Sequence, residues 1–264
     1  MNNIMHSYYG FSAMPFSKQI TVENILESAS FKEASGMLSL GVNQEDVLLL
    51  TGDIGVGKSV VLRSFLHTID PQRFVPVYVR GPHLAISEIY KTVLAGLHIH
   101  PPYSKTVAKL TFFKTIPELK KKPVIIIDDA QEMLDSTFTE LKSLMNFELD
   151  SKNMVTLILS GQHELLHRLR MQHMASLCQR IKLWVTMHAF TCEETVRYID
   201  HHTKLAGNPN QIFSEAAKAE IYKLSQGVPR KINVVCYNSL LKGAMEKRSV
   251  IDTADIILSS LHQD

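Results

Sequence analysis

The chain is poor in the residues that build disulfide scaffolds, metal modules and membrane spans. Only three cysteines occur in 264 residues, Cys178, Cys192 and Cys236, far apart and without metal-type spacing. That distribution excludes a disulfide framework, and the three read as buried apolar residues of a reducing compartment. No apolar run approaches the roughly 18 residues of a membrane span. The first residues, Met1-Asn2-Asn3-Ile4-Met5-His6, lack the basic-then-apolar profile of a signal peptide, so a cytoplasmic location with no membrane partner is expected. The formal charge is only +2, too small to argue for nucleic acid by itself. A single tryptophan, Trp184, lies in an apolar stretch and is expected in the core. Twelve histidines are present. His163 and His167 stand at helical i, i+4 spacing and His201 and His202 are adjacent, yet no acid or thiol completes a ligand set, so surface or partly buried histidines are expected.

What is there is an ordinary globular composition, 45 % hydrophobic and 20 % charged, with an alternation of strand and helix patterns. Short, nearly continuous apolar runs at 47–51, 75–79, 124–128, 155–160 and 183–187 read as parallel strands covered on both faces. Helical patterns fill the gaps at 58–69, 87–97, 105–120, 136–149 and 163–170. Beyond Phe190 the strand signals stop, and helices are expected near 192–206, 214–225, 229–246 and 252–261, punctuated by Asn208-Pro209 and Gly227-Val228-Pro229. The expectation is an α/β unit with a mostly parallel five-stranded sheet over 1–189, followed by a small all-helical domain over 190–264.

One segment carries a specific chemistry. Gly52-Asp53-Ile54-Gly55-Val56-Gly57-Lys58-Ser59 fits GxxxxGK[ST], after a strand and before a helix that includes Val60. The glycines let backbone N–H groups turn around a triphosphate, and the helix N-terminus adds its positive dipole end. Lys58 would reach the β/γ-phosphates and the Ser59 hydroxyl would coordinate Mg²⁺. The second half follows about 70 residues later: Val124-Ile125-Ile126-Ile127 ends in Asp128 and Asp129. Asp128 fits the carboxylate that holds Mg²⁺, and Asp129 the base that activates water. ATP with Mg²⁺ is the expected ligand pair.

Other polar residues have two readings each. Ser160 and Gln162, ending the next strand, either contact the γ-phosphate or water, or cap the strand-to-helix turn. Arg180 either points into a neighbouring subunit as an arginine finger or is a surface arginine. Arg230, opening a helix of the second domain, either reports the γ-phosphate or lies on the surface of that helix or caps it.

Taken together, these motifs resemble AAA+ ATPases, and within them the ExeA-like branch, with the transposition ATPases TnsC, TniB and MuB as more distant relatives. The resemblance runs nearly end to end: Tyr9-Gly10-Phe11, Pro15-Phe16-Ser17, Phe31-Lys32-Glu33-Ala34, the phosphate loop, Asp128-Asp129-Ala130-Gln131, and Leu141-Lys142-Ser143-Leu144-Met145-Asn146-Phe147-Glu148. It continues through Ser160-Gly161-Gln162-His163-Glu164-Leu165 and Gln179-Arg180-Ile181 to Gly227-Val228-Pro229-Arg230-Lys231-Ile232-Asn233. It implies a P-loop AAA+ three-layer sandwich with a C-terminal helical lid, sensor 1 near Ser160 or Gln162, an arginine finger at Arg180 and sensor 2 at Arg230. It further implies a homo-oligomer, ring or filament, that hydrolyses ATP as a switch.

ExeA-type proteins couple this ATPase to a membrane span and a peptidoglycan-binding region, and this chain ends at Asp264 with neither. The expectation drawn is regulation of DNA transposition, with double-stranded DNA bound without base specificity and a transposase as partner. The alternative is a soluble secretion-associated ATPase, or a nucleotide-gated scaffold with little turnover. A P-loop kinase would need an acceptor pocket and a phosphate-clamping lid, for which no segment is evident. Lys105, Lys109, Lys114 and Lys120-Lys121-Lys122 either track phosphates or form a solvated helix end.

Asp129 stands where the branch carries Glu, one methylene longer. A base displaced by roughly 1.5 Å costs a large factor in rate, which makes slow hydrolysis the expectation. Asp129→Glu is expected to raise the steady-state ATPase rate. An unchanged rate would show that the shorter side chain is not limiting.

Overall fold

In the computed structural model, the residues described are 2–44, 47–80, 85–145 and 154–256. The chain divides into two compact units, one of residues Ser30–Ile54 and Lys58–Met187, the other of Met1–Ala29, Gly55–Gly57 and His188–Asp264.

The first unit is built on a five-stranded, wholly parallel sheet in the order β2-β3-β4-β1-β5. Its strands are β1 (Val47–Gly52), β2 (Phe74–Val79), β3 (Lys122–Ile127), β4 (Thr156–Gly161) and β5 (Ile181–Met187). The three central strands are almost continuously buried, which is why they read as unbroken apolar runs. The two edge strands break that pattern. Pro76, which cannot donate to a ladder, is tolerated in β2 because β2 is an edge.

Trp184, expected in the core, lies on the other edge strand and is 41 % exposed, its Nε1 donating to the Ile181 carbonyl at 2.9 Å. Adjacency to an apolar run misplaced it, because an edge strand keeps one flank open. The cysteine expectation is likewise corrected: Cys236 is buried, but Cys178 is only half-buried and Cys192 is exposed.

Helices cover both faces of the sheet. On one face, odd-numbered strand residues such as Leu49, Val77, Ile127 and Leu159 pack with α4 (Ile86–Gly96), α5 (Lys105–Thr115), α6 (Asp135–Leu144), α7 (His163–Leu169) and α8 (Ala175–Cys178). The buried stripe of α4, Ile86, Ile89, Tyr90, Val93 and Leu94, follows the helical i, i+3, i+4, i+7 repeat. On the Leu48 side of β1 lies α2 (Ala29–Gln44), and α3 (Lys58–Thr68) also packs against β1. Gly41 of α2 lies so close to the Leu48 side chain that a Cβ there would stand 2.3 Å from it. Pro117 falls where the expected 105–120 helix stops, and Ile116–Glu118 is a 3₁₀ turn.

The second unit is helical: α1 (Asn2–Tyr9), α9 (Cys192–Leu205), α10 (Glu215–Ser225) and α11 (Pro229–Met245). Met5, Tyr9, Phe11 and Phe16 from the N-terminal segment fill its core beside Ile199, Ile221, Ile232 and Leu240. Local chemistry sets the helix starts. Thr191 and Glu194 form a reciprocal capping box, Ser214 caps α10, and Pro229 occupies the first turn of α11. Gly227 has φ +72, and a Cβ would stand 2.0 Å from the Phe190 carbonyl oxygen, so only glycine fits. The helix expected at 252–261 is a 3₁₀ turn, Thr253–Asp255, as far as 256. Its remainder lies outside the described residues, as do Asn146, Phe147, Glu148 and the end of the helix expected at 136–149.

His202, expected at the surface or partly buried, is 5 % exposed, stacked on Phe16 and in tilted contact with the Tyr198 ring. Burial first, and the His201 imidazole second, push its pKa down to about 4. Below pH 6.5 the unfolded chain takes up a proton that the folded chain refuses until about pH 4. Stability from this site is therefore complete above pH 6.5 and falls by about 3 kcal/mol down to pH 4. Denaturant unfolding of His202→Phe should lack that component and narrow its deficit to wild type as pH falls; an equal pH slope in both proteins would contradict the assignment.

Candidate nucleotide site

The loop after β1 is a backbone device. Gly55 and Gly57 adopt φ +87 and +111, values that glycine reaches without cost. The turn hands the chain to α3, whose first residue is Lys58, so the N–H groups of a helix start face the loop. Lys58 is 9 % exposed, and its ammonium donates to the carbonyls of Gly52 at 2.7 Å and Asp53 at 2.9 Å. The loop carbonyls thus hold the cation over the cradle where a triphosphate's oxygens would sit. Ile54 is 57 % exposed at the loop tip, whereas Val56 is buried. His163, first residue of α7, lies 3.6 Å from the Asp53 carboxylate; both are well exposed, and such a pair contributes little.

Asp128 is the convergence point. It follows β3 directly and is 3 % exposed. Its Oδ1 accepts the Ser160 hydroxyl at 2.8 Å and the Asp129 N–H at 3.1 Å. Its Oδ2 accepts the Ser59 hydroxyl at 3.2 Å and the Tyr78 hydroxyl at 2.6 Å. Strand register explains the convergence. Ile126 pairs with Ile158, and Ser160 with Leu50, which places Ser160 beside Asp128 and the phosphate loop two residues beyond. Ser59 and Asp128 are hard oxygen donors in direct contact, the donor set that suits Mg²⁺, an ion that keeps several waters. The residues present fit that ion.

Asp129 is half-buried and adopts φ 53, a left-handed conformation that Asp tolerates better than most residues. The 3₁₀ turn Ala130–Glu132 follows it. Arg168 fixes that turn, donating to the carbonyls of Gln131 and, at 2.7 Å, Met133, and pairing with Asp135, whose carboxyl it holds below the usual range. Gln131 is 8 % exposed, and its Oε1 accepts the Gln162 N–H at 3.1 Å. Gln162 is thereby tied to the turn that carries Asp129, while Ser160, fully buried, bonds to Asp128.

Loop, Ser59, Asp128, Asp129, Ser160 and Gln162 are therefore brought together. Arg180 is not. It precedes β5, where Ile181 pairs with Val47, while Gly52 pairs with Met187 at the opposite end. A strand rise of ~3.3 Å per residue puts roughly 17 Å between the two ends. Arg230 is exposed on α11; its N–H donates to the Gly55 carbonyl at 3.3 Å, and a Cβ on Gly55 would stand 2.7 Å from the Arg230 Cβ. The sequence reading missed Tyr78, whose hydroxyl is raised above its ordinary pKa by burial and by the bond to Asp128. It also missed Gln131 and Arg168 as supports. The register of β2 against β3 is the signal for Tyr78, and it exists only once the strands are aligned.

Among the described residues no group of three or more His, Cys, Asp or Glu is arranged to hold a metal ion, and no helix is long and apolar enough to cross a membrane.

Comparison with known proteins agrees with this geometry. Residues 42–169 match the family model of an AAA domain. The chain is 27 % identical over 261 residues to general secretion pathway protein A of Aeromonas hydrophila, an alignment covering 96 % of this chain and 47 % of that protein. The chain thus spans about half the length of that relative. Among solved structures it is similar to Cdc6p of Pyrobaculum aerophilum, with a TM-score of 0.68 and 16 % identity over 89 % of this chain and 67 % of that one. It is also similar to a variant of RuvB from Thermotoga maritima, with a TM-score of 0.60 and 18 % identity over 88 % and 68 % of the two chains. The fold is that of the P-loop AAA+ ATPases. The chain is thus similar to an AAA domain over residues 42–169 and to general secretion pathway protein A over nearly its whole length.

Proposed function

We propose that this chain is an AAA+ ATPase that binds ATP at residues 52–60 and hydrolyses it slowly within a homo-oligomer, each site being completed by Arg180 of a neighbour. The observation that carries the reading is the joining of Ser59, Asp128 and Ser160 beside a loop whose carbonyls already hold the Lys58 ammonium. Lys58 and the loop N–H groups orient the phosphates, and Asp129 takes the proton of the attacking water. Ser59 and Asp128 would hold Mg²⁺, which would supply charge neutralisation for the phosphates. Gln162, tied to the Asp129 turn through Gln131, orients water or the γ-phosphate. Arg230, bonded to Gly55, senses the state of the loop. The segments expected at 1–189 and 190–264 act as nucleotide-binding base and lid, with the N-terminal residues Met5 to Phe16 belonging to the lid's core.

Arg180 stands a strand length from Gly52 in its own subunit, which favours a role across an interface. For the occupation of the switch, a secretion-associated role has the better support, since similarity to general secretion pathway protein A covers 96 % of the chain. Regulation of DNA transposition, with duplex DNA and a transposase as partners, rests on the resemblance of motifs alone. The lysines add little to it: Lys105 is paired with Glu140 at 3.0 Å, and Lys122 starts β3, at the end of the sheet away from the loop.

Subunit mixing tests the shared site. Arg180→Ala should retain nucleotide binding and lose activity by roughly 100-fold or more, and Lys58→Ala should lose binding. Mixing the two inactive proteins should restore part of the activity, because a sound loop meets a sound arginine. No recovery, with mixed oligomers demonstrated, would overturn the shared site. Duplex DNA binding at low salt with a slowly hydrolysed ATP analogue would restore the transposition reading to first place.

A further inference from the structure

We propose that Tyr78 is a positioning residue for the metal-holding carboxylate of Asp128, an inference that rests on the nucleotide-site reading and extends it. Tyr78 lies on the edge strand β2 and pairs with Ile126 of β3. Residues two apart along a strand share a face, so Tyr78 and Asp128 stand on the same side of the sheet on adjacent strands. The phenol ring spans that diagonal, and its hydroxyl donates to Oδ2 at 2.6 Å, within the short range of a hydroxyl bonded to a carboxylate.

The two carboxylate oxygens are held unequally. Oδ1 has two donors that belong to the finished fold, the Ser160 hydroxyl and the Asp129 N–H. Oδ2 has Ser59 and Tyr78. Ser59 would be drawn to Mg²⁺ if the ion were bound, so its bond to Oδ2 would not serve as a permanent clamp. Tyr78 would then remain as the donor that keeps the Asp128 carboxylate from rotating, so that it would hold Mg²⁺ in one orientation. Packing alone does not require this bond. Tyr78 is 40 % exposed as a residue, yet its hydroxyl is directed onto the buried carboxylate.

Phenylalanine keeps the ring and deletes only the hydroxyl, so Tyr78→Phe isolates the effect. The measurement is Mn²⁺ affinity, by electron paramagnetic resonance of the free ion, for the protein saturated with a non-hydrolysable ATP analogue. Affinity for the same analogue in EDTA and the thermal midpoint are followed in parallel. The variant is expected to bind Mn²⁺ about tenfold more weakly, with metal-free nucleotide affinity unchanged and the midpoint lowered only by the loss of one hydrogen bond to a buried carboxylate. Unchanged Mn²⁺ affinity would overturn the role, and so would an equal loss of nucleotide affinity in EDTA, which would mark Tyr78 as merely structural. Wild-type protein that fails to bind the analogue in either buffer would overturn the nucleotide-site reading itself.

Discussion

A carboxylate taken out of water must have its lone pairs occupied, or it costs several kcal/mol. Asp128 is 3 % exposed and meets that constraint with donors drawn from four parts of the chain: Ser59 at the start of α3, Tyr78 in β2, Ser160 in β4 and the N–H of Asp129. Satisfying one buried acid therefore aligns three strand ends and a helix start. Parallel strands in the order β2-β3-β4-β1 carry these groups to the same end of the sheet, where the phosphate loop also begins. The site is thus a consequence of register: slipping one strand by a single residue would turn its contributor to the opposite face.

The same logic extends outward from the carboxylate. Arg168 and Gln131 fix the turn that follows Asp129, and Gln131 links it to Gln162. The Gln131 Nε2 is buried without a hydrogen-bond partner, so the network is complete on its oxygen side only. On the loop side, Lys58 is satisfied by loop carbonyls and Gly55 by the N–H of Arg230. A ligand entering such a site exchanges existing hydrogen bonds for its own rather than organising loose chain, which keeps the reorganisation small.

The phosphate loop and Asp128 are legible in the sequence because their chemistry is local. Glycines with positive φ, a lysine and a hydroxyl must be consecutive, and an acid must end an apolar strand. The sheet's strands and most helices are legible for the same reason, from periodicity and caps such as Thr191 and Pro229. What escapes depends on neighbours distant in sequence. Tyr78 reads as one aromatic in a strand until β2 is registered on β3. Trp184 reads as core until β5 proves to be an edge, and Cys192 reads as buried until it opens α9 on its exposed side. His202 lies in a polar helix, and only the aromatic rings of Phe16 and Tyr198 around it reveal its burial.

An arginine placed a strand length from its own loop makes assembly part of the account of catalysis. Sedimentation velocity of the wild-type chain with Mg²⁺ and a slowly hydrolysed ATP analogue, against Mg²⁺ with ADP, is the most direct measurement. The account predicts a multi-subunit species with the triphosphate and its loss with the diphosphate. A chain that stays monomeric with saturating triphosphate bound would contradict it.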